Sequence, residues 1–207
     1  MDWVNKFKWL LGRTVVLLAV FVVLAHVSVN YDKTRLKALN DAQPSFAALV
    51  DFAVKPTHDQ TALIEPYTRY FKIAVSYLPK GPTPNAMLGY CYYYSGNKIK
   101  ALRLLRRSTT LIPKCFWFYY NTAVIYFNDR QVKEAARYLQ MALDASPQES
   151  ARLMMTSKIY SDLLNLAVER HINPAADLGR GYARAHEMLE EANQGNPQNS
   201  TYELVIF

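Results

Sequence analysis

The apolar positions of this 207-residue chain fall into two patterns. From Thr14 to Tyr31 no Asp, Glu, Lys or Arg interrupts the sequence, and Val15 to Leu24 would be apolar on every face of a helix. Further along, two consecutive windows, residues 82–115 and 116–149, repeat each other at a spacing of 34 residues. Gly89 recurs as Ala123, Tyr92 as Tyr126, Ala101 as Ala135, Leu105 as Leu139, Ser108 as Ala142 and Pro113 as Pro147. Small residues recur where two helices must approach closely, aromatics where a gap needs filling, and proline where a helix must stop. No run alternates apolar and polar residues as a half-buried strand would. The pattern predicts an all-α chain of packed helix pairs.

The repeated residues resemble the tetratricopeptide repeat family. The first window carries Leu88-Gly89-x2-Tyr92, Gly96, Ala101, Leu105, Ser108 and Pro113, and the second Tyr119, Asn121, Ala123, Tyr126, Ala135, Leu139, Ala142 and Pro147. Two departures stand out: Asn85 replaces the opening aromatic of the first window, and Arg130 the inter-helix glycine of the second. The resemblance implies a short right-handed α-solenoid of helix–turn–helix units whose work is binding.

The pattern extends on both sides. Phe71-x2-Ala74-x4-Pro79 gives a second-helix ending, preceded by a helical stretch from about Pro44 to Val54, so residues 44–81 form a degenerate pair. Ser150 to Glu169 reads as one long first helix, and Ala185-x3-Leu189-x2-Ala192-x4-Pro197 as its partner. That third unit, residues 150–198, is longer than its neighbours, with an insertion near 170–180 where Pro174 and Gly179 argue against continuous helix. Residues 199–207 are a tail whose Leu204-Val205-Ile206-Phe207 either caps the last helices or docks on a partner.

The N-terminal run adds a membrane to the picture. About 20 residues at 1.5 Å each cross the hydrocarbon core, and Trp9, Leu10 and Leu11 lengthen the apolar stretch beyond Arg13. Trp3, Trp9 and Tyr31 fall where an aromatic belt would lie. Residues 1–31 are therefore read as a flank and single transmembrane anchor, with 32–43 a juxtamembrane linker. A cleaved signal peptide competes, with basic Lys6, Lys8 and Arg13 and a passable cut site at Val23-Leu24-Ala25. Three basic residues flank each side (Lys33, Arg35 and Lys37 on the other), and the amino terminus tips the balance towards N-terminus inside. That orientation puts the repeats on the periplasmic side of a bacterial inner membrane. The alternative is cytosol-facing repeats on an organelle membrane.

The formal net charge of +7 is concentrated. Residues 82–115 hold Lys98, Lys100, Arg103, Arg106, Arg107 and Lys114 and no acid. Lys100, Arg103 and Arg107 share a helix face. The patch Lys98, Lys100, Arg103, Arg106 and Arg107 is either a solvated surface or a contact for anionic lipid or an acidic partner. Nucleic acid is not expected, since no aromatic-interleaved basic motif accompanies the patch.

The family resemblance implies a concave groove formed by the first helix of each unit. Carried over by spacing, its partner-binding positions are Tyr90, Tyr93, Tyr94, Trp117, Tyr120, Asn121, Phe127, Asn128 and Lys158. Six aromatics on such a face suit an interface, or else pack against neighbouring helices. The chaperone-gripping carboxylate clamp of some relatives is absent, because Ala86, Ala151 and Met155 occupy its cationic positions. The groove suits a hydrophobic helix or an extended segment.

Chemistry is not expected. His26, His58, His171 and His186 are scattered without metal-ligand spacing, and no phosphate loop or nucleophile elbow occurs. Cys91 and Cys115 are expected as separate buried thiols rather than a disulfide. No enzyme activity, metal, cofactor or small-molecule substrate is assigned. The expected role is a membrane-anchored scaffold, or an accessory or assembly subunit of a membrane protein complex, held to the membrane through residues 9–31. The alternatives are a soluble exported repeat protein and an adaptor acting through the basic first repeat.

Overall fold

The structure, a computed structural model, describes residues 2–56, 61–195 and 201–206, with side chains from residue 17 onward except 29, 32, 36, 175 and 177. His58, the expected helix stop Pro197, Phe207 and the side chains of Trp3, Lys6, Lys8, Trp9 and Arg13 lie outside the described residues. The described residues form helices and no strand, in two compact units, Met1–Gln43 and Pro44–Phe207.

The first unit is a single helix, α1 (Asp2–Asp41). It does not stop at Tyr31: residues 32–41, expected as a linker, continue it. No glycine or proline breaks this stretch. Thr34 donates to the Asn30 carbonyl at 2.8 Å, and the Arg35 guanidinium lies 4.0 Å from the Tyr31 ring centroid. Leu17, Leu18, Phe21, Val23 and Leu24 are all more than half exposed. The stretch Leu17–Asp41 is long and apolar enough to cross a membrane, and a signal sequence meets the same criterion.

The second unit begins with α2 (Ala47–Val54) and α3 (Thr61–Tyr77), and Phe46, just ahead of α2, packs its ring with those of Tyr70 and Phe71 of α3. Two helix pairs follow, α4 (Pro82–Tyr94) with α5 (Lys98–Leu111), and α6 (Phe116–Asn128) with α7 (Val132–Leu143). Within each pair the helices pack along each other. In the first pair a methyl at Gly89 would lie 3.0 Å from Leu105 Cγ, so the glycine permits the close approach. Ala123, fully buried, holds the corresponding place in the second.

The two inter-helix turns are built alike. Gly96 N–H donates to Tyr93 O (2.9 Å) and Asn97 N–H to Tyr92 O (2.7 Å). Thirty-four residues on, Arg130 N–H donates to Phe127 O (2.9 Å) and Gln131 N–H to Tyr126 O (2.9 Å). Both are the doubly bonded helix ending that requires a left-handed residue after the cap.

The region after Pro147 departs from the repeat. The expected long helix is two, α8 (Pro147–Met155) and α9 (Lys158–Glu169). Thr156 Oγ1 donates to Leu153 O at 2.7 Å, and Ser157 takes extended backbone (φ −97°, ψ 122°) ahead of α9. Hydroxyl side chains of this kind compete with the helix for its main-chain partners. The break sends α9 back against α2 and α4, with Arg170 pairing to Asp51 (Nη2 to Oδ2 3.4 Å). The final helix, α10 (Pro174–Asn193), runs along α7 and touches α6. Gly179 and Gly181 lie within it, so only residues 170–173 are non-helical in the expected insertion.

Candidate functional site

The expected groove positions are almost all covered by the chain itself, in three sectors. At one end Phe52 of α2 lies edge-on against Tyr94 (5.2 Å between centroids) and Tyr90 (6.3 Å). At the other, α10 covers α6: Tyr182 stacks on Phe116 at 4.1 Å, and Gly181 faces the Trp117 ring. Trp117 and Tyr120 are only 4% and 1% exposed and act as core residues. Burial pushes the Tyr120 hydroxyl up to about 12, against the opposing pull of Arg184.

The third sector holds residues 201–206, which run extended along α6. Asn128 Nδ2 donates to Tyr202 O (2.7 Å) while its Oδ1 accepts from Tyr202 N–H (3.2 Å). Asn121 does the same with Val205, donating to its carbonyl (2.7 Å) and accepting from its N–H (2.9 Å). Tyr94 Oη accepts from Leu204 N–H (3.2 Å) and donates to Glu203 Oε2 (2.7 Å). Asn128 also donates to Tyr93 Oη at 2.9 Å, which fixes its amide. Tyr202 sits edge-on to Phe127 (5.2 Å) and donates its hydroxyl to Glu191 of α10 (2.9 Å). Leu204 and Ile206 are buried, at 1% and 2% exposure. Burial and the neighbouring carboxylates raise both tyrosine hydroxyls, Tyr94 and Tyr202, well above their ordinary value.

Tyr93, Tyr94, Asn121, Phe127 and Asn128 are thus brought together as one binding surface for an extended segment, and Tyr90, Trp117 and Tyr120 form the packed floor and ends around it. Lys158 stands apart from this surface in its bonding: its ammonium is exposed and paired with Asp162 at 2.7 Å. Val205 and Ile206 also border a cavity of about 490 Å³ whose walls include His171, Asn173, Arg180 and Arg184.

The two asparagines hold the segment by its main chain, and its Leu204 and Ile206 side chains are enclosed. No protein-family model and no curated protein matches this chain.

The basic residues are dispersed in role. Lys98 forms an ion pair with Asp129 across the two helix pairs. Lys100 and Lys72 place their ammonium groups 5.2 and 5.6 Å from the ring of Tyr92, which is half-exposed. Arg103, Arg106 and Arg107 are exposed around a shallow depression floored by Leu102, Tyr126 and Tyr138, with Ile99 beside them 83% exposed.

Both cysteines are buried and free, and burial lifts each thiol to about 12, which keeps them protonated. Among the described residues no group of His, Cys, Asp and Glu is placed to hold a metal ion. The tail is the element of this site least marked in the sequence, where it either caps the last helices or docks on a partner. The signal for it was slight: three apolar residues, Tyr202, Leu204 and Ile206, at alternate positions.

Proposed function

We propose that this chain is a membrane-anchored, tetratricopeptide-like scaffold that holds or assembles subunits of a membrane protein complex. The observation that carries this reading is the pairing of Asn121 and Asn128 with the main chain of an extended segment, because it equips the groove to take a peptide. The 34-residue repetition, continued into identical turn hydrogen bonds, supports a two-unit solenoid at residues 82–149. The exposed apolar face of α1 supports an anchor. The proposed setting is a bacterial inner membrane with the repeats on its periplasmic side, the basic residues flanking the apolar stretch being three against three.

A photo-crosslinking residue at position 187, exposed on α10 beside Tyr120 and Tyr202, leaves both asparagines in place and tests the reading in protein solubilised in mild detergent. Cross-links to a distinct membrane protein are expected. Cross-links confined to residues 201–206 of the same chain would overturn groove-mediated scaffolding. Deleting residues 1–31 is expected to free the protein from membranes, and sequencing the amino terminus of the purified protein separates an anchor from a cleaved leader.

A second reading has its own observation, the exposed Ile99 beside Arg103, Arg106 and Arg107. An apolar residue among cations suits an anionic lipid surface or an acidic amphipathic partner. Reversing the three arginine charges then abolishes binding to vesicles containing anionic lipid, and salt weakens it in the unaltered protein.

A further inference from the structure

The spacing of the two asparagines matches the segment they hold. Seven residues of helix advance about 10.5 Å, and three residues of extended chain about 10 Å. Asn128 therefore meets Tyr202 while Asn121 meets Val205, with the segment antiparallel to α6. A side-chain amide offers both a donor and an acceptor, which is what one residue's N–H and C=O require. These four hydrogen bonds ignore the side chains of the residues they hold.

Sequence choice falls to the other contacts. Tyr202 meets the Phe127 edge and Glu191, Glu203 takes the Tyr94 hydroxyl, and Leu204 and Ile206 are enclosed. Val205, between the two enclosed residues, is held by its main chain. The surface therefore specifies an aromatic, an acid, a leucine, a free position and an isoleucine.

We propose that segment 202–206 is a tethered ligand of this groove, and that it exchanges with an extended peptide of the same pattern presented in trans by a partner. The inference rests on the scaffold reading and adds to it the class of peptide recognised and its control. The segment joins α10 through residues 196–200. A short connection of that kind holds a ligand at an effective concentration of about millimolar. A free peptide must outcompete this local supply, so the groove admits a partner only when it is multivalent or when the segment has been drawn away.

The test uses a fluorescent peptide with the sequence of residues 200–207 and the full chain in mild detergent. A protease site replaces residues 196–200, so that cutting leaves every groove residue in place. Uncut chain is expected to bind the peptide at least tenfold more weakly than cut chain from which the segment has been exchanged. Asn121→Ala with Asn128→Ala in the cut chain should lose tenfold or more, and a scrambled peptide should not bind.

A cut chain that keeps its helical spectrum, retains its own segment through dilution and excess peptide, and takes up no label overturns the proposal. A cut chain that unfolds as the segment leaves overturns it equally, since the segment would then be a structural strap. Cross-linking of a partner at position 187 without peptide exchange leaves the scaffold reading standing and sinks this one. Exchange without any partner does the reverse.

Discussion

Gly96 and Arg130 stand 34 residues apart and close the two helix pairs with the same turn, both in the left-handed region at φ 77° and 60°. Glycine occupies that region freely, whereas a residue with a Cβ pays about 1–2 kcal/mol. The second pair therefore carries a local strain that the first avoids. Arg130→Gly is expected to raise stability by about 0.5–1 kcal/mol, less whatever the arginine side chain contributes, and Gly96→Ala to lower it by about 1 kcal/mol. Urea midpoints of the two variants check the sign, and a fall for Arg130→Gly would refute it.

A close approach of α10 to α6 depends on Gly181. A Cβ there would lie 2.8 and 2.9 Å from Trp117 ring carbons and 3.0 Å from Phe116 Cε1. Neither ring can retreat easily, because Phe116 is stacked on Tyr182 and Tyr120. Gly181→Ala is expected to cost about 1–3 kcal/mol as an overpacked contact, with a shift in tryptophan fluorescence. Gly179→Ala, with nothing within 4 Å, serves as its control and should be neutral or slightly stabilising.

How far these features can be read from sequence depends on the range of the forces that create them. The two helix pairs are local: Gly89, Ala101, Ala123 and Ala135 set the close contacts within about one pair's length, and Pro113 and Pro147 mark the ends. The region after Pro147 is not local. The break at Thr156 and Ser157 trades helix hydrogen bonds for hydroxyl ones, and α9 gains by packing on α2 and α4, more than 60 residues earlier in the chain. The groove shows the same division. Its aromatic face is legible from helical spacing, but what covers Tyr94 is Phe52 on one side and Glu203 on another, 109 residues beyond it. For that reason Trp117→Ala and Tyr120→Ala would report on the core, and Asn121 and Asn128 are the residues through which binding is tested.

Loss of one asparagine should loosen the segment without unfolding the helices. Asn128→Ala removes both hydrogen bonds to Tyr202, and the net worth of each such bond is about 0.5–1.5 kcal/mol. The Tyr202 amide should lose hydrogen-exchange protection by about tenfold, while amides in α5 and α7 keep theirs. Equal loss throughout the second unit would mean that Asn128 supports the whole fold.

Alkaline pH offers a probe of the buried thiols. Cys91 and Cys115 are held at about 12 in the folded chain against an ordinary value of 9.0, with desolvation the main cause in each. Below about pH 9 folded and unfolded chains both keep these protons, and pH has no leverage through them. Between about 9 and 12 the unfolded chain releases them and the folded chain does not, so stability falls as pH rises. Each thiol contributes a slope of about 1.4 kcal/mol per pH unit across that window. Urea midpoints should therefore drop from pH 9 to 10, with the buried hydroxyls of Tyr94, Tyr120, Tyr160 and Tyr202, raised by the same desolvation, adding to the fall as the unfolded chain nears pH 10. Cys91→Ala with Cys115→Ala lowers overall stability through lost packing and makes that slope shallower by the thiols' share, which is largest near pH 9. An unchanged slope in the double variant would show that the two thiols are not the groups resisting ionisation.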